Sequence, residues 1–267
     1  MKILVLGASG FMGKHFKEIF PKKYVTLLQY KDTWDLLDSD QVKGLLFETQ
    51  PDIVINCITY GGNDKVNETD TQDLTKNLAM AYNFYKHSDL FKLYINLSSG
   101  VEKNYEDCSA YAVSKRLIKE MLLTKNKFVN LCVYGCFGKY EKDRRLFKRI
   151  LECQRTGEPL HINDKYFDYI SIQDLARIID SVIAIFFSDL RYEMPRDIDC
   201  VYPDKKKKLS DIVSLFCEVN NINIKIEIDS DDNINKYVGS LHGLSYFIDC
   251  GLTLFGPAHG MKEYMND

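Results

Sequence analysis

The first twenty residues limit the fold more than any other stretch of this chain. Lys2–Leu6 is a short, continuous apolar run, which suits a strand covered on both faces. It enters Gly7-Ala8-Ser9-Gly10-Phe11-Met12-Gly13, and the amphipathic segment Phe11–Phe20 follows until Pro21 stops it. The rhythm then repeats. Strand patterns at Tyr24–Gln29, Ile53–Ile58, Lys92–Leu97 and Phe128–Val133 alternate with helical patterns at Ser39–Thr49, Asp70–His87 and Tyr111–Leu123, with Ser39 as an N-cap. Such alternation predicts a parallel sheet with helices on both faces, and right-handed crossovers make it doubly wound.

Beyond about residue 140 the pattern loosens. Phe147–Gln154 reads as a helix, Gly157-Glu158-Pro159 as a break, Asp174–Phe187 as a strongly apolar helix and Ile222–Ile228 as a short strand. The expected architecture is an α/β fold: a doubly wound parallel (Rossmann) sheet over residues 1–150 and a smaller C-terminal α/β substrate lobe over 151–267. The segment Asp168–Phe187 is expected to pack back on the first domain. A net charge of −3 with 27% charged residues gives no basic field for nucleic acid or anionic lipid. The one concentrated run, Lys205–Lys208, precedes Leu209-Ser210-Asp211 and reads as a solvated loop before a helix, with a phosphate contact as the other reading. Ile3–Leu6 is too short for the core of a signal peptide, and no stretch approaches membrane-span length. Eight cysteines lack a C-x-x-C pair and five histidines lack ligand spacing, so no metal site is expected. Reduced thiols in a cytoplasm fit this usage.

The glycine loop carries the first chemistry. Glycines between a strand and a helix let backbone approach a pyrophosphate seated on the helix N-terminus, which nominates Gly7, Ser9, Gly10, Phe11, Met12 and Gly13 for a dinucleotide. At the end of the second strand an NAD site would place a carboxylate for the ribose 2′-hydroxyl; this chain has Gln29-Tyr30-Lys31. A missing carboxylate and an available ammonium favour NADP(H), with NAD(H) possible and Lys31 alternatively a solvated charge. Tyr111-Ala112-Val113-Ser114-Lys115 is Y-x-x-x-K at the start of a helix, and its spacing puts both side chains on one face. An ammonium beside a phenol stabilises the phenolate, and the same lysine can reach a nicotinamide ribose. A hydroxyl on the strand end Leu97-Ser98-Ser99-Gly100 would hold a carbonyl or alcohol oxygen.

G-x-x-G-x-x-G followed by Y-x-x-x-K in this order resembles the extended short-chain dehydrogenase/reductase superfamily, and the likeness spans nearly the whole chain. Residue by residue, the resemblance implies Ser98 as the catalytic serine (S-x-x-V, with Val101), Ser99 reaching substrate with a swap of roles open, and Asp38 of Asp35-Leu36-Leu37-Asp38 near an adenine amino group beside Leu37. Pro51–Ile58 with Thr59-Tyr60-Gly61-Gly62 looks like the segment whose loop lies along the cofactor, which adds Cys57, Ile58, Thr59 and Gly61. Asn77 sits where the family keeps a helix asparagine. Val133-Tyr134-Gly135, Phe167–Asp174 and Gly260–Tyr264 extend the match. The look is most similar to GDP-fucose synthase-like nucleotide-sugar 4-ketoreductases.

Departures narrow the reaction that the resemblance implies. Gly100 stands where a cysteine for 3,5-epimerisation is expected, and Cys136-Phe137-Gly138-Lys139 supplies no histidine. Ser99-Gly100 also replaces the Asp-Glu pair of the 4,6-dehydratases. What is left is reduction of the C4 ketone of a GDP-, dTDP- or CDP-linked 4-keto sugar, in polysaccharide biosynthesis, with Tyr111 giving the proton and Lys115 holding tyrosine and ribose. A C4 epimerase with tightly held NAD and a non-catalytic dinucleotide sensor are the alternatives. Cationic Arg144 and Arg145, and Lys165 in place of an arginine at Phe167, are candidates for the substrate diphosphate, with exposed residues of a charged helix the other reading for the two arginines. Gly100, Cys132 and Tyr134 complete the substrate side, with buried structural roles the other reading for Cys132 and Cys136. The family commonly forms homodimers through the helices that here would be Asp70–His87 and Tyr111–Leu123, whose apolar faces include Leu78, Ala81, Tyr82, Leu117, Ile118 and Met121.

Overall fold

A computed structural model of the chain describes residues 1–29, 33–61 and 71–266. In order the elements are β1 (Lys2–Leu6), α1 (Phe11–Ile19), β2 (Val25–Gln29), α2 (Ser39–Thr49), β3 (Ile53–Asn56), α3 (Thr71–Lys86), β4 (Leu93–Ser99), α4 (Ala110–Leu122), β5 (Phe128–Val133) and β6 (Cys136–Phe137). There follow α5 (Leu146–Thr156), β7 (Leu160–Phe167), β8 (Ile170–Ser171), α6 (Ile172–Phe186), β9 (Asp197–Cys200), α7 (Leu209–Asn220), β10 (Ile226–Tyr237), α8 (His242–Asp249) and α9 (Pro257–Asn266). The chain divides into two compact units, Met1–Cys132 with Ile183–Ile198, and Val133–Val182 with Asp199–Asp267. The division therefore falls earlier than residue 150, and α6 begins in one unit and ends in the other.

The first unit carries a sheet in the order β2-β1-β3-β4-β5-β9. β1 pairs in parallel with β2, Leu6 opposite Gln29, and with β3, Leu6 opposite Asn56; β3 pairs in parallel with β4. The chain leaves β1 towards one edge and returns past it, so a switch point lies between β1 and β3, where an open α/β sheet leaves a crevice at its carboxyl ends. Every residue of β3 and β5 is buried, which explains why both are apolar apart from one asparagine each, Asn56 and Asn130. Leu4, Val54, Met80, Phe84, Tyr94 and Phe128 form the core beneath α2, α3 and α4. The sixth strand comes from residues far along the chain: the Asn130 N–H donates to the Arg196 carbonyl at 2.7 Å. A strand recruited across more than sixty residues leaves no local pattern.

Several boundaries differ from the sequence expectation, β10 most of all (Ile226–Tyr237 in place of Ile222–Ile228), and two have a visible local reason. β3 ends at Asn56, because the Asn56 carboxamide oxygen accepts the Ile58 N–H at 3.0 Å and turns the chain out of the ladder. The cap of α2 is Asp38, whose carboxylate accepts the N–H groups of Asp40 (2.8 Å) and Gln41 (3.2 Å). Those bonds hold the Asp38 carboxyl below the usual range. Ser39 instead bonds His87 Nε2 at 3.0 Å.

In the second unit β7 pairs in parallel with β10, Leu160 opposite Ile226, and β6 pairs with β8. β7 alternates buried Leu160 and Ile162 with exposed His161 and Asn163, as a half-covered strand should. Phe137, Phe147, Ile150, Phe216 and Met261 fill its core. The Lys205–Lys208 run does precede a helix, but it is largely engaged internally: Lys206 pairs with Asp168 (2.6 Å), Lys207 with Asp204 (3.2 Å) and Lys208 with Asp164 (4.0 Å). All eight cysteines are free thiols. Among the described residues no cluster could hold a metal, and no helix is long and apolar enough to cross a membrane.

Candidate active site

A cavity of about 680 Å³ opens at the carboxyl ends of β1, β2 and β3. Gly7, Ser9 and Gly10 line it from the glycine loop, Gln29 from the end of β2, and Cys57, Ile58 and Thr59 from the segment after β3. Seven of the sequence-nominated residues thus meet around one space. The glycines are needed for contact as well as for turning. Gly7 has φ +76°, and a Cβ there would stand 2.7 Å from Ile58 Cγ1; a Cβ on Gly13 would stand 2.2 Å from the Gly7 carbonyl oxygen. Removing those carbons lets α1 sit directly on the loop, with its first turn, Phe11 to Gly13, facing the loop end. That turn has Gly10 as its N-cap, no side-chain cap and no acidic residue, so its donors suit a phosphate. Gln29 braces the loop, since its carboxamide accepts the Gly7 N–H at 3.2 Å and its carbonyl accepts the Ala8 N–H at 3.1 Å. The cradle and its volume fit a nicotinamide dinucleotide.

The remaining wall comes from Thr33, Trp34, Asp35, Leu36, Gln41 and Tyr60, which the sequence reading passed over. Within Asp35-Leu36-Leu37-Asp38 the two ends are placed differently. Asp38 caps α2 and is absent from the cavity wall, and Leu37 packs against the core; Asp35 and Leu36 line the wall instead. The missed signal is the N-cap rule: an aspartate directly before a helical run is engaged by that helix. Asp35 is steadied by its own loop, accepting the Leu37 N–H at 3.0 Å, while its N–H donates to Gln41 Oε1 at 2.9 Å. Burial, reinforced by the Asp35 charge, pushes the Tyr60 phenol up. Lys31, nominated for a 2′-phosphate, lies outside the described residues, as does Gly62.

Asn77 on α3 is buried, and its side chain holds other parts in place. Its oxygen accepts the Tyr60 N–H and its nitrogen donates to the Tyr60 carbonyl, both at 2.9 Å, with a longer 3.4 Å bond to Ser114 Oγ. Ser114 Oγ in turn donates to the Tyr111 carbonyl at 2.7 Å. The cavity wall is therefore tied to the first turns of α4, which Ser109 caps by accepting the Ala112 N–H at 3.2 Å. On that helix Lys115 is buried, with its ammonium 5.5 Å from the Tyr111 ring centroid, while Tyr111 is half-buried. The i, i+4 spacing produces the expected pair.

Ser98 is buried near the end of β4, and its hydroxyl donates to Glu102 Oε2. Ser99 Oγ accepts the Val101 N–H at 3.4 Å and caps the short 3₁₀ turn Gly100–Lys103, in which Gly100 is buried. Gly61 has φ +77°, and a Cβ there would meet Asp73 Oδ2 at 2.4 Å.

The second-unit and strand-end nominations fare differently. Cys132 is fully buried in β5, a strand covered on both faces, so its thiol belongs to the core. Tyr134 is buried, its hydroxyl donating to Asp199 Oδ2 at 3.2 Å and its ring meeting Tyr237 at 5.1 Å. Arg145 donates to the Cys136 carbonyl at 3.3 Å and stands 3.6 Å from Glu141. Arg144 is exposed, and Lys165 is half-buried with its ammonium 5.9 Å from the Phe167 ring.

The chain is 21% identical over 253 residues to the CDP-abequose synthase of Yersinia pseudotuberculosis, covering 85% of this chain and 87% of that protein. Its fold is similar to that of a dTDP-4-dehydrorhamnose reductase from Clostridium acetobutylicum (TM-score 0.79, 18% identity, 100% of this chain and 99% of that one). It is also similar to a GDP-L-fucose synthetase from Naegleria fowleri bound to NADP (TM-score 0.77, 18% identity, 99% and 91%). The model of the NAD dependent epimerase/dehydratase family matches residues 3–191. The chain belongs to that family: it is an extended short-chain dehydrogenase/reductase and an NAD(P)-dependent oxidoreductase.

Proposed function

We propose that the protein reduces the C4 ketone of a nucleotide-linked 4-keto sugar, with NADPH preferred over NADH. The observation that carries this reading is the Tyr111–Lys115 pair on α4, tied through Ser114 and Asn77 to the wall of the dinucleotide cavity. A bound reduced nicotinamide supplies hydride. The glycine loop, Gln29 and the Cys57–Thr59 segment hold the dinucleotide. Tyr111 carries the proton that finishes on the former ketone oxygen, the Lys115 ammonium favours the phenolate left behind, and Ser98 orients that oxygen. Ser99 and Gly100 offer neither the acid nor the base that elimination of water requires. NADPH is favoured because Gln29, and no carboxylate, closes β2. Arg144, Arg145 and Lys165 are the cations proposed for the substrate diphosphate, and GDP-, dTDP- and CDP-sugars are the substrate class.

A homodimer through α3 and α4 belongs to the same reading. Tyr82 and Leu117 are large apolar side chains that are 53% and 47% exposed on those helices. Sedimentation that finds only monomer removes this part. The reaction is tested by NADPH oxidation against a panel of GDP-, dTDP-, UDP- and CDP-linked 4-keto sugars. Stoichiometric loss of NADPH is expected. Protein that purifies with NAD tightly held and interconverts C4 epimers without consuming NADPH overturns the proposal.

A further inference from the structure

Ser98 sits at the end of a row of buried amides that crosses the sheet. Asn56 on β3, Asn96 on β4 and Asn130 on β5 are all buried. Their orientation is set at one end by a backbone donor: the Ile58 N–H gives its proton to Asn56 Oδ1 at 3.0 Å. Asn56 must therefore donate onward to Asn96 Oδ1 (3.3 Å), and Asn96 to Asn130 Oδ1 (2.9 Å). Asn130 Nδ2 then points at two carboxylates, Glu102 Oε1 at 2.9 Å and Asp197 Oδ1 at 3.0 Å. The row begins at Ile58 in the cavity wall and ends on the carboxylate that receives the Ser98 hydroxyl.

Glu102 is completely buried on the 3₁₀ turn after β4. Because Asn130 delivers a donor to Oε1, that oxygen must accept, and any proton the carboxyl holds must sit on Oε2, facing Ser98 Oγ. Two hydrogen-bond patterns result. An ionised Glu102 draws the Ser98 proton to itself and leaves the serine only lone pairs for a ligand. A protonated Glu102 donates to Ser98 Oγ and releases the serine proton to point elsewhere. A ketone oxygen accepts hydrogen bonds and cannot donate, so only the second pattern lets Ser98 hold it.

We propose that Glu102 is a positioning residue for ketone reduction: its acid form turns the Ser98 hydroxyl towards the substrate carbonyl, and its ionised form turns the hydroxyl away. The inference rests on the ketoreductase reading above. The charged groups facing Glu102 are Asp197 on β9, Lys119 on α4, 3.9 Å from Asp197, and Lys103 on its own turn, 4.0 Å from Glu102 and 2.7 Å from Asp197. Both lysines lie against Asp197, which takes much of their charge. Burial, the largest influence, and the Asp197 charge push the Glu102 carboxyl up, whereas the Ser98 bond and the two lysines pull it down.

The test is the pH profile of kcat for ketone reduction in the wild type and in Glu102→Gln. In the variant, Asn130 forces the amide oxygen to its own side and the amide nitrogen towards Ser98, which mimics the acid. The wild type should lose turnover as Glu102 ionises, while Glu102→Gln should lack that limb and stay within about threefold of the wild-type low-pH plateau. A Glu102→Gln variant that keeps every limb of the wild-type profile overturns the inference, as does a folded Glu102→Gln that is slow at every pH; a limb from Tyr111, the proton donor, is common to both proteins. Should the variant not fold, difference infrared spectroscopy of the wild type decides. A protonated-carboxyl band must titrate with the midpoint of kcat, and a band with another midpoint, or none, overturns the inference. A wild type that reduces no 4-keto sugar defeats the functional reading and this inference together; an active wild type whose limbs all persist in Glu102→Gln defeats the inference alone.

Discussion

Asn77→Ala probes the coupling of cavity and catalytic helix most sharply. The substitution leaves the Tyr60 N–H and carbonyl without the two 2.9 Å bonds they now make, and it removes the longer link to Ser114. Each lost bond costs about 1 kcal/mol net, and more where the abandoned group stays out of water, so the buried site should lose roughly 3 kcal/mol. For a chain of this size that corresponds to a Tm lower by ~6–12 °C. The second effect is functional. Ile58, Thr59 and Tyr60 line the cavity, and freeing the loop should weaken NADP(H) binding about tenfold, or roughly 1.4 kcal/mol. Thermal unfolding and a fluorescence titration of the dinucleotide read the two effects separately. A Tm within about 2 °C of wild type, together with unchanged affinity, refutes the reasoning, because a side chain this enclosed cannot lose its partners silently.

Exchanging the two aspartates separates cap from wall. Asp35→Ala should weaken the dinucleotide about tenfold, whereas Asp38→Ala should lower Tm and leave its affinity unchanged, both read by the same titration. Gly13→Ala puts a carbon 2.2 Å from the Gly7 carbonyl oxygen and should push α1 off the loop, costing ~1–3 kcal/mol in denaturant unfolding and at least about tenfold in dinucleotide affinity. Glu141 is buried with Arg145 3.6 Å away, and desolvation, the largest influence, outweighs the pull of Arg145 and Tyr264 and pushes its carboxyl up from 4.5 to about 7. Because the folded value lies above the unfolded one, stability from the neutral form is full below about pH 4.5 and is lost as pH rises to about 7. The loss is roughly 3 kcal/mol, and Glu141→Gln should flatten the dependence of Tm on pH across that window.

The legible parts of this molecule were those with local causes. A glycine loop between an apolar strand and an amphipathic helix, and a tyrosine and lysine one turn apart, carry their geometry in adjacent residues. Gly7, Gln29, Ile58 and the Tyr111–Lys115 pair therefore stand where the pattern puts them. Relations across distance were not legible. β9 completes the sheet beside β5 from sixty residues away, and nothing near Asp197 announces it. Asp35 and Asp38 differ only in which one meets a helix N-terminus, a matter of a single turn. Cys132 sits in a strand covered on both faces, and its burial there is a property of the sheet that no neighbouring residue announces. Glu102 is the extreme case: a glutamate in a charged turn reads as solvent-facing, and only the fold shows it sealed against Ser98 and Asn130.

Single-turnover NADPH oxidation with a 4-keto sugar nucleotide, in wild type and Tyr111→Phe, tests whether Tyr111 gives the proton in ketone reduction. Removing one hydroxyl takes away proton transfer in the transition state and leaves the cavity wall untouched. The expected result is a rate lower by at least ~10²–10⁴ with NADP(H) affinity within about twofold of wild type. Near-wild-type turnover in Tyr111→Phe contradicts the account.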